Sequence, residues 1–261
     1  MDLIKKDEKN NRILNKEAQL INSNITFNGE NNILICEDNV VLNNSNIIFN
    51  GNNSIIYLSS NYNQYQLFVN IFNNSVLFID ENNYFNSKLY VILSEEKSLF
   101  IGKDCLFSHG TWIRLADPHL IYDMGTMERI NMTEDIIFGD HIWIGQDSLI
   151  LRGTQIGSGS IIGAKSVLSG KKVSSNTIYA GNPPQVIKKN IFFDGHTVHK
   201  YTKIETEKSM KYSSEEWIYS NINSGTGFNQ IKELNNETNM DLKIKKIIEL
   251  RENKHKNRFY L

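Results

Sequence analysis

Six histidines are spread along the chain, and one of them stands in company that could do chemistry. His119 follows Asp117 and Pro118 in a stretch, 114–136, that also carries Asp123 and Glu128. An imidazole titrates near neutrality, so it can take a proton from an alcohol during a group transfer. A carboxylate or a backbone carbonyl on Nδ1 would leave Nε2 free as acceptor, and Asp117 is a candidate for that part. His109, between Ser108 and Gly110, reads equally as a turn residue at a subunit contact or as a substrate contact. His141 reads as a structural turn residue, and His196, His199 and His255 fall outside any pattern. Without further context, a lone histidine on a loop is most often simply solvated.

Other chemistries have less behind them. Cys36 and Cys105 are the only cysteines, both in apolar strand-like text, and read as reduced core thiols. Their number and spacing exclude a CxxC metal site. No Ser-His-Asp order presents itself, so a covalent acyl-enzyme is not expected. A zinc centre would need three converging histidines, and the spacings of His109, His119 and His141 fit no ligand pattern; no metal is expected.

The elements that must position these groups announce themselves by period. Phe138, Ile144, Ile150, Ile156, Ile162 and Leu168 recur every six residues. Gly139, Gly145, Gly157 and Gly163 follow four of them, and Ile142, Ser148, Thr154, Ser160 and Ser166 stand four residues after the first five. Six residues on a 3.6-residue turn point in different directions, so a helix cannot use this row. A prism-like β-helix uses all of it: the aliphatic residue inside, the small residue at the corner, the glycine to permit the turn. The phase is present at Ile101, Phe107 and Ile113, breaks over 114–136 and resumes at Phe138. An interruption of that length in a regular solenoid is typically functional. After Leu168 the spacing shortens to Val173 and Tyr179, and Asn182-Pro183-Pro184 stops the coil.

Upstream, Asn24-Ile25-Thr26-Phe27-Asn28-Gly29 returns as Asn46-Ile47-Ile48-Phe49-Asn50-Gly51, twenty-two residues later, with a looser echo at 70–74. Asparagine tolerates positive φ, so it can close turns where glycine does later. Residues 21–98 therefore read as irregular coils of the same solenoid, a separate small β-domain being the alternative, and 99–181 as regular hexads. Residues 1–20 read as a short helix or an arm. In the C-terminal extension, 191–261, Thr238 and Asp241 suggest a helix start, and Met240, Ile244, Ile247 and Ile248 form one apolar stripe of a helix at about 239–255. That stripe implies packing on its own or a neighbouring subunit.

Composition sets the outer bounds. The 261 residues carry a formal net charge of −1, with 40% hydrophobic and 22% charged residues. Such a balance argues against a dedicated nucleic-acid binder. No apolar run is long enough for a transmembrane span, and residues 1–8 carry both signs of charge with no apolar signal region, which points to a cytoplasmic protein.

Residues 99–190 resemble the hexapeptide-repeat acyltransferases, whose fold is a left-handed parallel β-helix. The resemblance rests on Phe138-Gly-Asp-His-Ile-Trp-Ile-Gly-Gln146, Ile162-Gly-Ala-Lys-Ser-Val167 and Ala180-Gly-Asn-Pro-Pro-Gln-Val-Ile-Lys-Lys189. Asp117-Pro-His-Leu-Ile-Tyr-Asp123 and Arg129-Ile-Asn131 narrow it to bacterial O-acetyltransferases of capsule or sialic acid glycans. The implied fold class is all-β, with a protruding loop and a partly helical C-terminal extension. The implied activity is acetyl transfer from acetyl-CoA to a sugar hydroxyl, in a homotrimer that holds coenzyme A between neighbouring prisms. His119 is then the general base and Asp117 its partner. Trp143, just before interior Ile144, faces outward near donor or acceptor. Coenzyme A contacts are implied for Trp143, Gln146, Ala164, Ser169, Lys171 and Lys188, and glycan acceptor contacts for His109, Arg114 and Tyr122. Lys165 departs from the glycine common at its position. N-acetylation of an amino sugar, or a non-catalytic glycan-binding scaffold, are the competing readings.

Overall fold

The computed structural model describes residues 2–261. It is a three-sided solenoid of parallel strands. One face holds Arg12–Asn15, Ile33–Cys36, Ile55–Leu58, Val76–Ile79, Leu99–Ile101, Ile136–Phe138, Gln155–Ile156 and Lys172–Val173 in order. The second face includes Tyr84–Phe85, Leu106–Phe107, Trp143–Ile144, Ile161–Ile162 and Thr177–Gly181. The third runs from Asn24–Phe27 through Leu67–Ile71, Leu89–Leu93, Trp112–Arg114 and Leu149–Leu151 to Val167–Leu168.

Register gives the size of each coil. Ile33 pairs with Ile55, twenty-two residues on, so the asparagine-rich repeat in the sequence is one whole turn. Ile137 pairs with Gln155, eighteen residues on, which is three hexads. Leu99 pairs with Ile136, and the surplus length of that coil is the protruding excursion. The wider coils close their corners with asparagines at positive φ, among them Asn31, Asn44, Asn53 and Asn74. Their amides bond from coil to coil, as in Asn10–Asn31–Asn53, at 2.8 and 2.7 Å.

Residues 2–20 differ from the helix or arm expected over 1–20, Met1 lying outside the described residues. Arg12–Asn15 and Gln19–Ile21 already belong to the first coil, and Asp2–Lys6 folds back antiparallel on Arg12–Asn15. Stacking on Ile33–Cys36 supplies the ladder partners that a polar segment would lack alone.

The hexad row is the interior: Phe138, Ile144, Ile150, Ile156, Ile162 and Leu168 are all fully buried in one continuous core. The small corner residues have a specific task. Ser148, Thr154 and Ser166 each donate a hydroxyl hydrogen bond to the carbonyl three residues back, at 2.8, 2.7 and 2.6 Å. The glycine expectation needs correction. Gly139, Gly145, Gly157 and Gly163 do not have positive φ; that conformation is taken by His141, Asp147, Gly153, Gly159 and Lys165. The glycines after the interior residues are there because coils approach closely. A Cβ on Gly145 would lie 2.5 Å from the Ala164 nitrogen, and one on Gly163 2.7 Å from Ala180 Cβ.

The extension carries α1 (Lys203–Lys208), α2 (Thr226–Asn235) and α3 (Met240–Glu252). Asn239, rather than Thr238, caps α3, accepting from the amides of Asp241 and Leu242 at 3.0 Å. Ile231 and Leu234 of α2, and Ile247 and Leu250 of α3, pack on Ile35, Tyr57, Phe78, Phe100 and Ile137 of the first face. Strands of that face are consequently buried on both sides and do not alternate. Beyond α3, Arg258 is fully buried. It bonds Asp80 at 2.6 Å and Asp140 at 2.8 and 3.0 Å, and so stitches two coils together through the tail.

Candidate active site

The corners between the second and third faces stack to form a groove of about 380 Å³. Ser108, His109, Trp143, Gln146, Gly163 and Ala164 are among its lining residues. The corners are fixed by backbone bonds, Asp147 N to His109 O at 2.9 Å and Lys165 N to Gln146 O at 2.7 Å. With no side chain on Gly145 and Gly163 and only a methyl on Ala164, backbone groups line much of the trough, which suits an extended amide-bearing chain. Trp143 stands outward at 41% exposure and donates Nε1–H to Ser108 Oγ at 3.2 Å. Nδ1 of His109 lies 3.9 Å from Asp147 Oδ1, and Gln146 also reaches that carboxylate, at 3.2 Å. Asp147 escaped the sequence reading, which had no period or motif to single it out.

His119 sits elsewhere. The excursion leaves the solenoid at the corner between the third and first faces, so the third face separates it from the groove. His119, Asp117, Arg114 and Tyr122 do not line the groove of their own chain. The excursion is nonetheless firmly built. Tyr122 bridges Arg129, and Asp123 Oδ1 accepts from the amides of Gly125 and Thr126 at 2.8 Å. Arg129 grips Glu95 through both guanidinium ends, at 2.6 and 2.9 Å. That bond, with one from Thr133, holds the Glu95 carboxyl down at about 2. Buried Asn131 donates to the His119 carbonyl at 2.7 Å and accepts from the Ile121 amide at 3.0 Å, clamping the backbone around the histidine. Asp117 faces Arg152 at 3.6 Å and Asn131 at 3.4 Å rather than the imidazole.

No protein-family profile matches the chain. The polysialic acid O-acetyltransferase of Neisseria meningitidis is 46% identical over 46 residues, 18% of this chain and 21% of the relative. That of Escherichia coli O1:K1 / APEC is 38% identical over 81 residues, 31% of this chain and 26% of the relative. These matches span about a fifth to a quarter of the curated relatives' length. The crystal structure of the polysialic acid O-acetyltransferase OatWY superposes with a TM-score of 0.63 at 28% identity, covering 76% of this chain and 94% of that one. The polySia-specific acetyltransferase NeuO superposes with a TM-score of 0.64 at 31% identity, covering 73% of this chain and 88% of that one. The chain belongs to the polysialic acid O-acetyltransferase family of hexapeptide-repeat proteins.

As in the family's other members, the solenoid is a left-handed parallel β-helix. Within this polysialic acid O-acetyltransferase family member, Trp143, Gln146, Ala164 and His109 meet in the groove. Ser169 and Lys171 follow Val167–Leu168 at the corner between the third and first faces, and Lys188 lies on Pro184–Lys189 alongside Thr177–Gly181, all outside its lining. Lys188 is exposed opposite Ile178, and Lys171 reaches over the Tyr179 ring at 5.8 Å. His141 is a packing residue, sandwiched between Phe193 and Trp217 with ring centroids 3.9 and 3.8 Å away. Burial pushes its pKa down from the ordinary value, against partly opposing contacts from the Phe193 and Asp104 backbone and from Asp194 and Asp140. Cys36 and Cys105 are free and buried, and burial pushes the Cys36 thiol up to about 12. Among the described residues, no helix is long and apolar enough to cross a membrane.

Proposed function

We propose that this protein transfers an acetyl group from acetyl-CoA to a hydroxyl of an acidic bacterial surface polysaccharide, as a homotrimer in which the groove of one copy meets the excursion of the next. The observation that carries the reading is the division of the site: the groove with Trp143 lies at one edge of the third face and the loop with His119 at the other. Copies arranged around a common axis with that face inward bring opposite edges together. The excursion's surface supports this. Leu120, Ile121, Tyr122, Met124, Met127, Ile130 and Met132 are all more than 45% exposed on it, and an apolar patch of that extent wants a partner surface.

In the assembled site the thioester lies in the groove, beside Trp143. Nε2 of His119 takes the proton of the acceptor hydroxyl as its oxygen attacks the thioester carbonyl. The carbon–sulfur bond then breaks and coenzyme A leaves as the thiolate. Asn131 fixes the backbone that carries the imidazole, and the groove's backbone groups orient the donor. The four relatives named above are acetyltransferases of polysialic acid, whose repeating acid is the model for the acceptor.

The test is release of free coenzyme A from acetyl-CoA in the presence of polysialic acid. His119→Ala is expected to lower turnover by about 10²–10⁴-fold with an unchanged circular dichroism spectrum. Undiminished turnover in that variant removes His119 from the base role, and a single-chain mass in sedimentation at working concentration removes the shared site.

A further inference from the structure

Of the six arginines in the chain, five have a partner. Arg12 meets Asp241, Arg129 meets Glu95, Arg152 meets Asp117 and Glu134, Arg251 meets Glu37 and Glu81, and Arg258 meets Asp80 and Asp140. Arg114 has none: no hydrogen bond or ion pair reaches its guanidinium among the described residues, and its Nε is buried without an acceptor. It is half-buried on the outward side of the third face, where Ile92 and Leu151 flank it in register and Ile113 points into the core. The acid nearest in sequence, Asp117, is committed elsewhere, since it faces Arg152.

A cation held between aliphatic neighbours with a desolvated nitrogen is costly unless something neutralises it. Arginine's fork, more than a lysine ammonium, is shaped for a carboxylate with two oxygens in plane. Arg114 also stands at the root of the excursion, five residues before His119 and two after Trp112, which is 39% exposed on the same face.

We propose that Arg114 is the specificity-determining residue for acceptor charge: it receives the carboxylate of an acidic sugar while a hydroxyl of the glycan reaches His119. This deepens the acetyltransferase reading and rests on it. The consequence is that the acceptor must be a carboxylate-bearing glycan, and a neutral polymer with the same hydroxyls binds poorly.

The experiment compares the full-length wild type, R114K and R114M, using polysialic acid and the same polymer with its carboxyl groups reduced to alcohols. Binding is followed by calorimetry and transfer by coenzyme A release. R114M is expected to weaken polymer binding and raise acceptor KM at least tenfold, with acetyl-CoA KM unchanged; R114K is expected to recover only part, because it keeps the charge and loses the fork. Wild type is expected to prefer the native polymer by a similar factor, and R114M to lose that preference. The melting temperature of R114M should hold or rise, as an unpaired half-buried charge is gone. Equal binding of native and reduced polymer by wild type, an unchanged acceptor KM in R114M, or collapse of R114M to single chains would each overturn the assignment. The last outcome would make Arg114 a subunit contact. Calorimetry reads the assignment even without turnover, so absence of coenzyme A release from wild type counts against acetylation separately.

Discussion

A methyl group added at position 145 would meet the amide nitrogen of Ala164 at 2.5 Å, with the Ile162 carbonyl oxygen at 2.7 Å. Neither is a flexible side chain, so the coils must move apart. Gly145→Ala is therefore expected to cost about 1–3 kcal/mol in urea unfolding, and to weaken acetyl-CoA binding because the same glycine lines the groove. This residue also marks the reach of sequence reading. The six-residue row of aliphatics and the hydroxyl residues four behind them specified interior and corner correctly, because burial and local hydrogen bonding leave a period. Glycine's position was visible but its reason was not. Only the spacing of coils distinguishes a glycine needed for φ from one needed for room, and that spacing is a property of the stack. His119 and Trp143 were visible through resemblance, whereas Asn131's hold on the His119 carbonyl emerges from the folded excursion.

At the scale of elements, the excursion and the C-terminal extension each depend on a small number of anchors. Arg129→Met removes the double grip on Glu95 that ties the excursion to the preceding coil. The variant is expected to lose most turnover while binding coenzyme A normally, as read by calorimetry, because the groove lies on another corner. The extension is held partly by His141 between Phe193 and Trp217, and this contact responds to acid. Its folded pKa is depressed, so the imidazole is neutral in both states above about 6.5. As pH falls through that value the unfolded chain takes the proton and the folded chain resists, so stability is lost on the acidic side. Urea midpoints measured by the emission of the three tryptophans together are expected to drop between pH 7 and 5.5. His141→Asn, which suits the positive φ but cannot titrate, should start lower and show a flatter slope over this range. The helical stripe of α3 was readable, but its partner was not. The first face became an interface only once its strands lay side by side with apolar residues on both surfaces.

For the whole molecule, the decisive feature is that a single copy holds the groove and the excursion, the two halves of the proposed site, on opposite edges of one face. Sequence periodicity could reveal the face and the interruption, but which edge each occupies follows from counting coils in three dimensions. Genetic complementation is the natural consequence. His119→Ala keeps a sound groove and spoils the loop; Trp143→Ala keeps a sound loop and spoils the groove. Each alone is expected to have little turnover, yet unfolding and refolding an equal mixture should regenerate activity at about a quarter of the native junctions, because a healthy loop then sometimes lands beside a healthy groove. A mixture as silent as its parents would mean that every copy works alone.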